Sequence, residues 1–496
     1  MQVSSGALPT SADGTITQFA KLSHVLRVAI IGGGISGLTT AFYLEQERRR
    51  GVPIETVVFE STPRFGGVIR TERVEGCIIE AGPDSFLTSK PWARQLCDDL
   101  RLSSQLIGSR DAERKTYILV NGKLQPIPPG MQMMVPTKLA PVLSSLLFSP
   151  GTKWAMLREY VAPPEPLGAD DDESVASFVS RHFNSEMVER LADPLLSGIY
   201  GGDASRLSAR ATLPKMIESE YRYHSLVRGA LASRNAREDK APPEPLFTSM
   251  RDGMQRIVDS LVRQLPREML RSSRPVETLT ARDPGWQILS SGVVEDFDHV
   301  ILALPSYASA KLMANIPGSE RLVEILRELS YSSAVTVAMT FNSAEINLPE
   351  GFGFLVPRSS GRQMMACTFT HRKFEHRAAE DTALLRVFLG GTRNPGIVER
   401  SDTEIIETVR TELREILGLR AEPSIARVFK WRNAMAQYEV GHLLRIARLE
   451  MHMQRFPGLH LTGNAYHGIG IPDCVRLGRA AADAIMRRMR SQQAPA

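Results

Sequence analysis

An apolar stretch over residues 25–31 runs straight into Gly32-Gly33-Gly34-Ile35-Ser36-Gly37 and then into a helical pattern over 36–50. Strand, Gly-x-Gly-x-x-Gly and helix in that order leave few folds open. Gly32 allows a tight turn. Gly34 lets a pyrophosphate approach the backbone, and Gly37 lets the helix pack closely on the strand. The helix start at Ile35 and Ser36 offers free N–H groups and a positive dipole end to phosphates. A second strand over 54–59 ends in Glu60, placed as an acid that accepts from ribose hydroxyls. These residues predict a dinucleotide site in an α/β fold.

The rest of the chain limits what that site serves. A net charge of +5 over 496 residues, spread along the sequence, implies no nucleic-acid partner and leaves a modest pull toward acidic surfaces. Cys77, Cys97, Cys367 and Cys474 form no CxxC pair or Cys/His cluster, and His371 and His376 are not at zinc spacing. The thiols read as buried or incidental in a reduced, cytoplasmic protein without structural metal. Residues 1–24 are rich in Ser, Thr and Gly, lack an apolar core and carry no Arg, so a short disordered extension is expected. No uncharged apolar run reaches the roughly 18–20 residues of a spanning helix.

Further glycine turns follow the fingerprint. Arg64-Phe65-Gly66-Gly67 comes directly after the second strand, where glycines suit backbone running close to a ligand and the Arg suits a pyrophosphate. Gly82-Pro83-Asp84-Ser85 is a turn carrying polar groups. Asn121-Gly122 predicts a hairpin. The apolar run 139–148, flanked by Lys138 and Lys153, is too short to cross a bilayer; it suits either a dip into one membrane interface or a core segment of a helical region. Asp170 to Glu173 place acids ahead of a helix. Residues 237–246 read as a polar loop before a helix over 254–265. Strands are expected over 276–279, 286–289, 293–297, 300–304, 334–341, 352–356 and 384–389. Ser401 and Glu404 form a capping box, and Gly418 suits the helix end. Finally, a strand over 459–461 enters a glycine-rich turn with Gly468, Ile469, Gly470 and Ile471, followed by an Ala-rich helix through Arg490. Two strand-to-helix glycine junctions suit a cofactor with two ends: a pyrophosphate at the first, a ring that becomes anionic at the second.

With these motifs the chain resembles flavin-dependent protoporphyrinogen oxidases, within the amine-oxidase-like flavoproteins, from about residue 25 to 486. The superfamily marks are Gly32 to Gly37, Glu60 and Arg64 to Gly67. The family marks are Gly82 to Ser85, Phe247 to Gly253, Trp431 to Tyr438, Gly463-Asn464 and Ile471 to Asp473. The resemblance implies an α/β protein with a Rossmann-type FAD domain in pieces (25–90, 216–305, 426–496), a mixed-sheet substrate domain (306–425) and a helical membrane-docking domain (91–215). It implies non-covalent FAD held by Gly32 to Gly37, Glu60, Arg64, Gly66, Gly67, Gly82, Pro83, Asp84, Ser85, Val276, Trp431, Ile469, Gly470 and Ile471. It implies a porphyrinogen pocket with Leu355, Thr368 and Phe388, in which Thr116, with Arg114 nearby, stands where relatives often carry a propionate-binding Arg. Molecular oxygen as acceptor, peripheral membrane attachment and a homodimer are compatible with it.

A flavin carries the redox chemistry while the protein positions and polarises, so no acid/base triad is demanded and none is found. The expected reaction is oxidation of protoporphyrinogen IX. The alternatives are a coproporphyrinogen III oxidase of the same family, another flavin amine oxidase or desaturase, and a non-enzymatic binder like the GDP-dissociation inhibitors. Protoporphyrinogen is favoured by a burial argument, because each buried carboxylate needs a partner. The only basic cluster beside the pocket is Arg110, Arg114 and Lys115. Phe352, Phe354, Leu355, Val387, Phe388 and Leu389 are expected to face the ring, with Arg386 turned away by strand alternation.

Overall fold

The chain is described by a computed structural model over residues 25–168, 171–238 and 244–493; the extension expected over 1–24, and Asp170, lie outside the described residues. Strand Leu26–Ile31 is apolar and its last four residues are buried, as a central parallel strand requires. It sits in a five-stranded sheet between Ile54–Phe59 and His299–Leu302, with Leu270–Arg271 and Leu459–Leu461 at the edges; every pairing is parallel. Sequence-distant strands are thus neighbours, and both glycine junctions open at the carboxyl ends of this sheet, where ligands of open α/β sheets bind.

Helix Ile35–Arg49 follows the fingerprint and is buried along most of its first turns. It packs against the C-terminal helix Ile471–Gln493, which approaches so closely that a Cβ on Gly478 would lie 2.5 Å from the Ser36 carbonyl oxygen. Thr40 Oγ1 donates to the Gly478 carbonyl at 2.9 Å. Glu45, buried in this helix, is paired to Arg48 at 2.6 Å and Arg49 at 2.8 Å.

A second, mixed sheet of seven strands has the order Ile425–Ala436, Tyr331–Asn342, Thr382–Gly390, Met364–Phe369, Gly353–Leu355, Thr116–Val120 and Lys123–Pro126. One face is covered by the capping-box helix Asp402–Leu417, whose Ser401 and Glu404 cap reciprocally as expected. Phe354, Cys367, Phe369, Leu385, Val387 and Leu389 fill the core on that side. The hairpin at Asn121-Gly122 forms, with φ of +50° and +73° at its two turn residues. Helices between Leu139 and Glu238 enclose a separate apolar core that includes Phe178, Phe183 and Leu191. Helix Val175–His182 is capped by the Ser174 side chain; Asp172 instead accepts from Ser208 Oγ at 2.8 Å and the Gly441 N–H at 2.7 Å. Among the described residues no helix is long and apolar enough to cross a membrane, and all four cysteines are free and buried.

Candidate functional site: a glycine-lined cleft beside a mixed-sheet face

Each fingerprint glycine is held for a different reason. Gly32 has φ of +112°, and a side chain there would collide with the Ala303 carbonyl. A Cβ on Gly37 would collide with the Gly32 carbonyl oxygen, so strand and helix are in backbone contact. A Cβ on Gly34 would meet nothing within 4 Å. Gly34 is also the N-cap of the helix; it carries no side-chain cap, and no acid occupies the first turn. An uncapped helix start facing open space fits an anionic pyrophosphate. Glu60 sits at the next strand end, its Oε2 accepting the Gly33 N–H at 2.9 Å and its Oε1 accepting Thr62 N–H and Oγ1, both at 2.8 Å. The segment leading to Val276 lies beside it, since Arg274 N–H donates to the Glu60 carbonyl at 2.8 Å.

Gly66 and Gly67 fold back over the fingerprint. Gly66 N–H donates to the Gly33 carbonyl at 2.8 Å, and a Cβ on Gly67 would stand 3.4 Å from Gly34 Cα. Arg64 stands differently from expectation. Its guanidinium is half-buried and donates to the carbonyls of Phe65 at 2.9 Å, Ile69 at 2.8 Å and Gly67, so it ties the loop together.

The turn Gly82 to Ser85 joins the two sheets. Trp431 Nε1 donates to the Ala81 carbonyl at 2.8 Å, and Arg386 donates to the Gly82 carbonyl. Asp84 is not a surface turn residue; Lys373 lies 3.1 Å and Arg386 3.7 Å from its carboxylate. Burial works against its charge, yet those two cations hold its carboxyl well below the usual range. Glu80 beneath it accepts from Thr71 Oγ1 at 2.7 Å and the Met254 N–H at 2.8 Å, with Arg377 at 3.4 Å; burial pushes its carboxyl up against those partners. At the second junction, the Gly468 N–H donates to Tyr438 Oη at 2.7 Å, and Tyr438 Oη donates to the Asn464 carbonyl at 2.8 Å. The Tyr438 ring stacks on His442 at 3.9 Å, and His442 Nε2 lies 2.9 Å from the Tyr466 carbonyl. Tyr438 and His442 therefore shape the turn that carries Ile469, Gly470 and Ile471.

Four of the five ring-contact candidates share one face of the seven-stranded sheet. Cross-strand partners lie on the same face, and the register sets Leu355–Ala366–Phe388 in one row and Thr116–Gly353–Thr368–Arg386 in the next. Leu355, Thr368 and Phe388 are half-buried where their strand neighbours are fully buried. Arg114, the fifth, is exposed two residues before Thr116, and its guanidinium has no partner among the described residues. Its expected companions are taken: Arg110 by Glu113 and Lys115 by Glu350, each at 2.5 Å.

Here the expectation that all six apolar residues face the ring, with Arg386 turned away, fails. Phe354, Val387 and Leu389 point to the opposite side, into the core under helix Asp402–Leu417. Arg386 does turn away from Val387, but so does Phe388, and the Arg386 guanidinium lies over the Phe388 ring at 4.8 Å. The alternation that was to remove the Arg from the ring face puts it there. An Arg inside the apolar run 384–389 was the available signal, because a buried charge is rarely kept without a partner.

The sequence pattern of flavin-containing amine oxidoreductases matches residues 35–486. The chain belongs to that family. It is 36% identical to the coproporphyrinogen III oxidase of Bacillus subtilis (strain 168) over 92% of this chain and 96% of that one. It is 28% identical to the mitochondrial protoporphyrinogen oxidase of Nicotiana tabacum, over 95% of this chain and 97% of that one. A solved structure from Exiguobacterium sp. 255-15, assigned as a protoporphyrinogen oxidase, superposes with a TM-score of 0.83 at 30% identity, covering 93% and 99% of the two chains. The protein is an FAD-dependent oxidoreductase, and the cleft described above has the open helix start and glycine backbone that such a cofactor needs.

Proposed function

We propose that this enzyme oxidises coproporphyrinogen III to coproporphyrin III in haem biosynthesis, with oxygen as final acceptor and hydrogen peroxide as product. The observation that carries the choice of porphyrinogen is the similarity to the Bacillus subtilis enzyme of that name across nearly the whole chain. It replaces the sequence-based preference for protoporphyrinogen IX, whose premise, an apolar ring face, does not hold. In this reading the parallel sheet with its two glycine junctions holds non-covalent FAD in a Rossmann-type arrangement and the seven-stranded sheet the substrate; the expected bounds shift accordingly, since 216–238 pack in the helical core and 116–126 join the substrate sheet. When bound, FAD supplies the hydride acceptor. The chain's own residues bind and orient. Phe388 and Leu355 offer apolar surface to the macrocycle, Thr116 and Thr368 flank it, and Arg114 is free to meet a propionate. Arg386 and Lys373 are committed to Asp84 and hold the cofactor turn against the sheet.

The helical part between residues 91 and 215 would dock on an acidic membrane surface. Leu139, Leu143, Leu146 and Trp154 project into solvent beside Lys138 and Lys153. The test of the substrate is kcat/KM for both porphyrinogens with the same FAD-loaded preparation, followed by porphyrin fluorescence. Coproporphyrinogen III should be preferred by about tenfold or more, on the scale of one charged hydrogen bond. A preference for protoporphyrinogen IX would overturn the substrate and leave the oxidase standing.

A further inference from the structure

Two loops outside the cleft bring four arginines to one place. The first follows strand Gly353–Leu355 and carries Arg358 and Arg362; the second follows strand Thr382–Gly390 and carries Arg393 and Arg400. With Gln363 and Asn394 they line a concavity of about 330 Å³ that has no carboxylate in its wall. Two of the four are partly compensated from behind: Arg362 pairs with Glu415, and Arg358 lies 3.6 Å from Asp203 and donates to Thr392 Oγ1 at 3.2 Å. The other two form no ion pair among the described residues, although Asp193 and Glu412 act on Arg393 from farther off. Among the described residues no carboxylate lies within ion-pairing distance of Arg393 or Arg400. Arg393 spends its Nη atoms on the carbonyls of Met364, at 2.9 Å, and Val356, at 2.8 Å, while its buried Nε has no partner. The Arg400 side chain makes no hydrogen bond or ion pair among the described residues. Burial holds the Arg393 guanidinium below its ordinary value; Asp193 opposes that, and the neighbouring charge of Arg358 adds to it.

Gathering like charges around a small hollow costs free energy unless an anion fills it. Guanidinium forks match carboxylate and phosphate oxygens in pairs. We propose that this arginine-lined concavity is a binding site, separate from the flavin and ring sites, for a small molecule carrying several phosphate or carboxylate groups close together. The volume is near the low end of small-molecule pockets, roughly 300–1,000 Å³, which suits a compact polyanion rather than a tetrapyrrole. The four charges, spread over two loops, ask for more than one anionic group on the ligand. The site's existence does not depend on the substrate proposed above. Its walls begin three residues after Leu355 and five after Phe388, so an occupant would stiffen the strand ends that carry the ring contacts.

The test titrates the FAD-loaded enzyme, whose own pyrophosphate site is filled, with inorganic pyrophosphate and, in a second arm, with citrate, by calorimetry at fixed ionic strength. Saturable binding of at least one is expected, and the stronger arm identifies the chemistry. Arg400→Ala, an exposed loop change, should weaken it about tenfold, as loss of one charge-assisted contact does. Arg358→Ala should do the same, and Arg321→Ala, on an exposed helix, should not. Unaltered flavin absorbance in each variant shows that the fold is kept. No saturable binding in either arm, or equal binding by the Arg400→Ala and wild-type enzymes, would overturn the site. Either result can be read whichever porphyrinogen is oxidised.

Discussion

Gly34 and Gly37 occupy the same turn and should fail in opposite ways. At Gly34 the backbone is extended, with φ of −74°, and the space beyond is open. Gly34→Asp places a preferred N-cap residue on an uncapped helix, which by itself stabilises by up to about 1 kcal/mol. The same carboxylate stands where the pyrophosphate needs to be. The apoprotein should therefore melt at the wild-type temperature or slightly above while FAD retention collapses. Gly37→Ala drives a methyl into the Gly32 carbonyl and should cost about 1–3 kcal/mol of stability in the apoprotein as well. Thermal melts of both apoproteins, with flavin absorbance after reconstitution, check this; FAD binding intact in Gly34→Asp would refute the assignment of that open space. The tight turn at Gly32 and the close packing at Gly37 were legible in the sequence because each follows from a local turn. Arg386 was misread because the period-2 pattern says which residues share a face, and it pairs Arg386 with Phe388 as surely as it separates both from Val387. That Asp84 is held by Lys373 and Arg386 was not legible, because those partners are about 300 positions away, a distance no local pattern spans.

Strands were legible where β-branched and aromatic residues cluster, and the capping box marked its helix without help. Strand Ile425–Ala436 was not, since its pattern mixes Arg, Lys and Asn with apolar residues along a partly exposed edge. The segment 139–148 shows why a hydrophobic run alone is ambiguous. The sequence allowed a core segment or a membrane-facing one, and the structure splits the run between the two. Val142, Leu147 and Phe148 are buried, whereas Leu139 is 43% exposed, Leu143 49% and Leu146 80%, with Trp154 at 68% on the next helix. Two kinds of variant should therefore separate. Leu143→Asp with Leu146→Asp changes surface positions and should shift stability by no more than about 0.5 kcal/mol each. It should still remove much of the protein from anionic liposomes in a flotation assay. Val142→Asp buries an unpaired carboxylate and should unfold the helical region outright. If the double variant floats like the wild type, the exposed leucines do not meet a membrane.

Over the whole molecule, pH acts through histidines that no mechanism step uses. Burial holds His299, His442 and His460 at about 4 each, down from an ordinary 6.5. His299 and His460 face one another across neighbouring parallel strands at 3.3 Å, in the sheet that carries both glycine junctions. The sign follows from proton counting. Above pH 6.5 these rings are neutral in both states and give no slope. Between 6.5 and 4 the unfolded chain binds protons that the native chain refuses, so stability falls as pH falls. Below 4 their contribution flattens. His182 runs the other way. Burial works against its charge, but Glu159 and Glu220 on its two ring nitrogens raise it above 6.5. Its stabilisation is complete below 6.5 and is lost as pH rises through its raised value, so it adds no loss on the acid side. Burial also raises Glu80 and Asp193, which take up protons in the native state on acidification and offset part of the fall. Burial lowers His371 as well, so the lowered histidines outnumber the two raised carboxyls, and two of them share one interstrand contact. Calorimetric melts of the FAD-loaded protein should show the midpoint highest near pH 6.5 and falling steadily toward pH 4. A His299→Leu, His460→Leu double variant removes two of the acid-linked histidines and should visibly flatten that fall. An unchanged slope in the double variant would place the acid sensitivity elsewhere, in the carboxylates around Asp84 that join the two sheets.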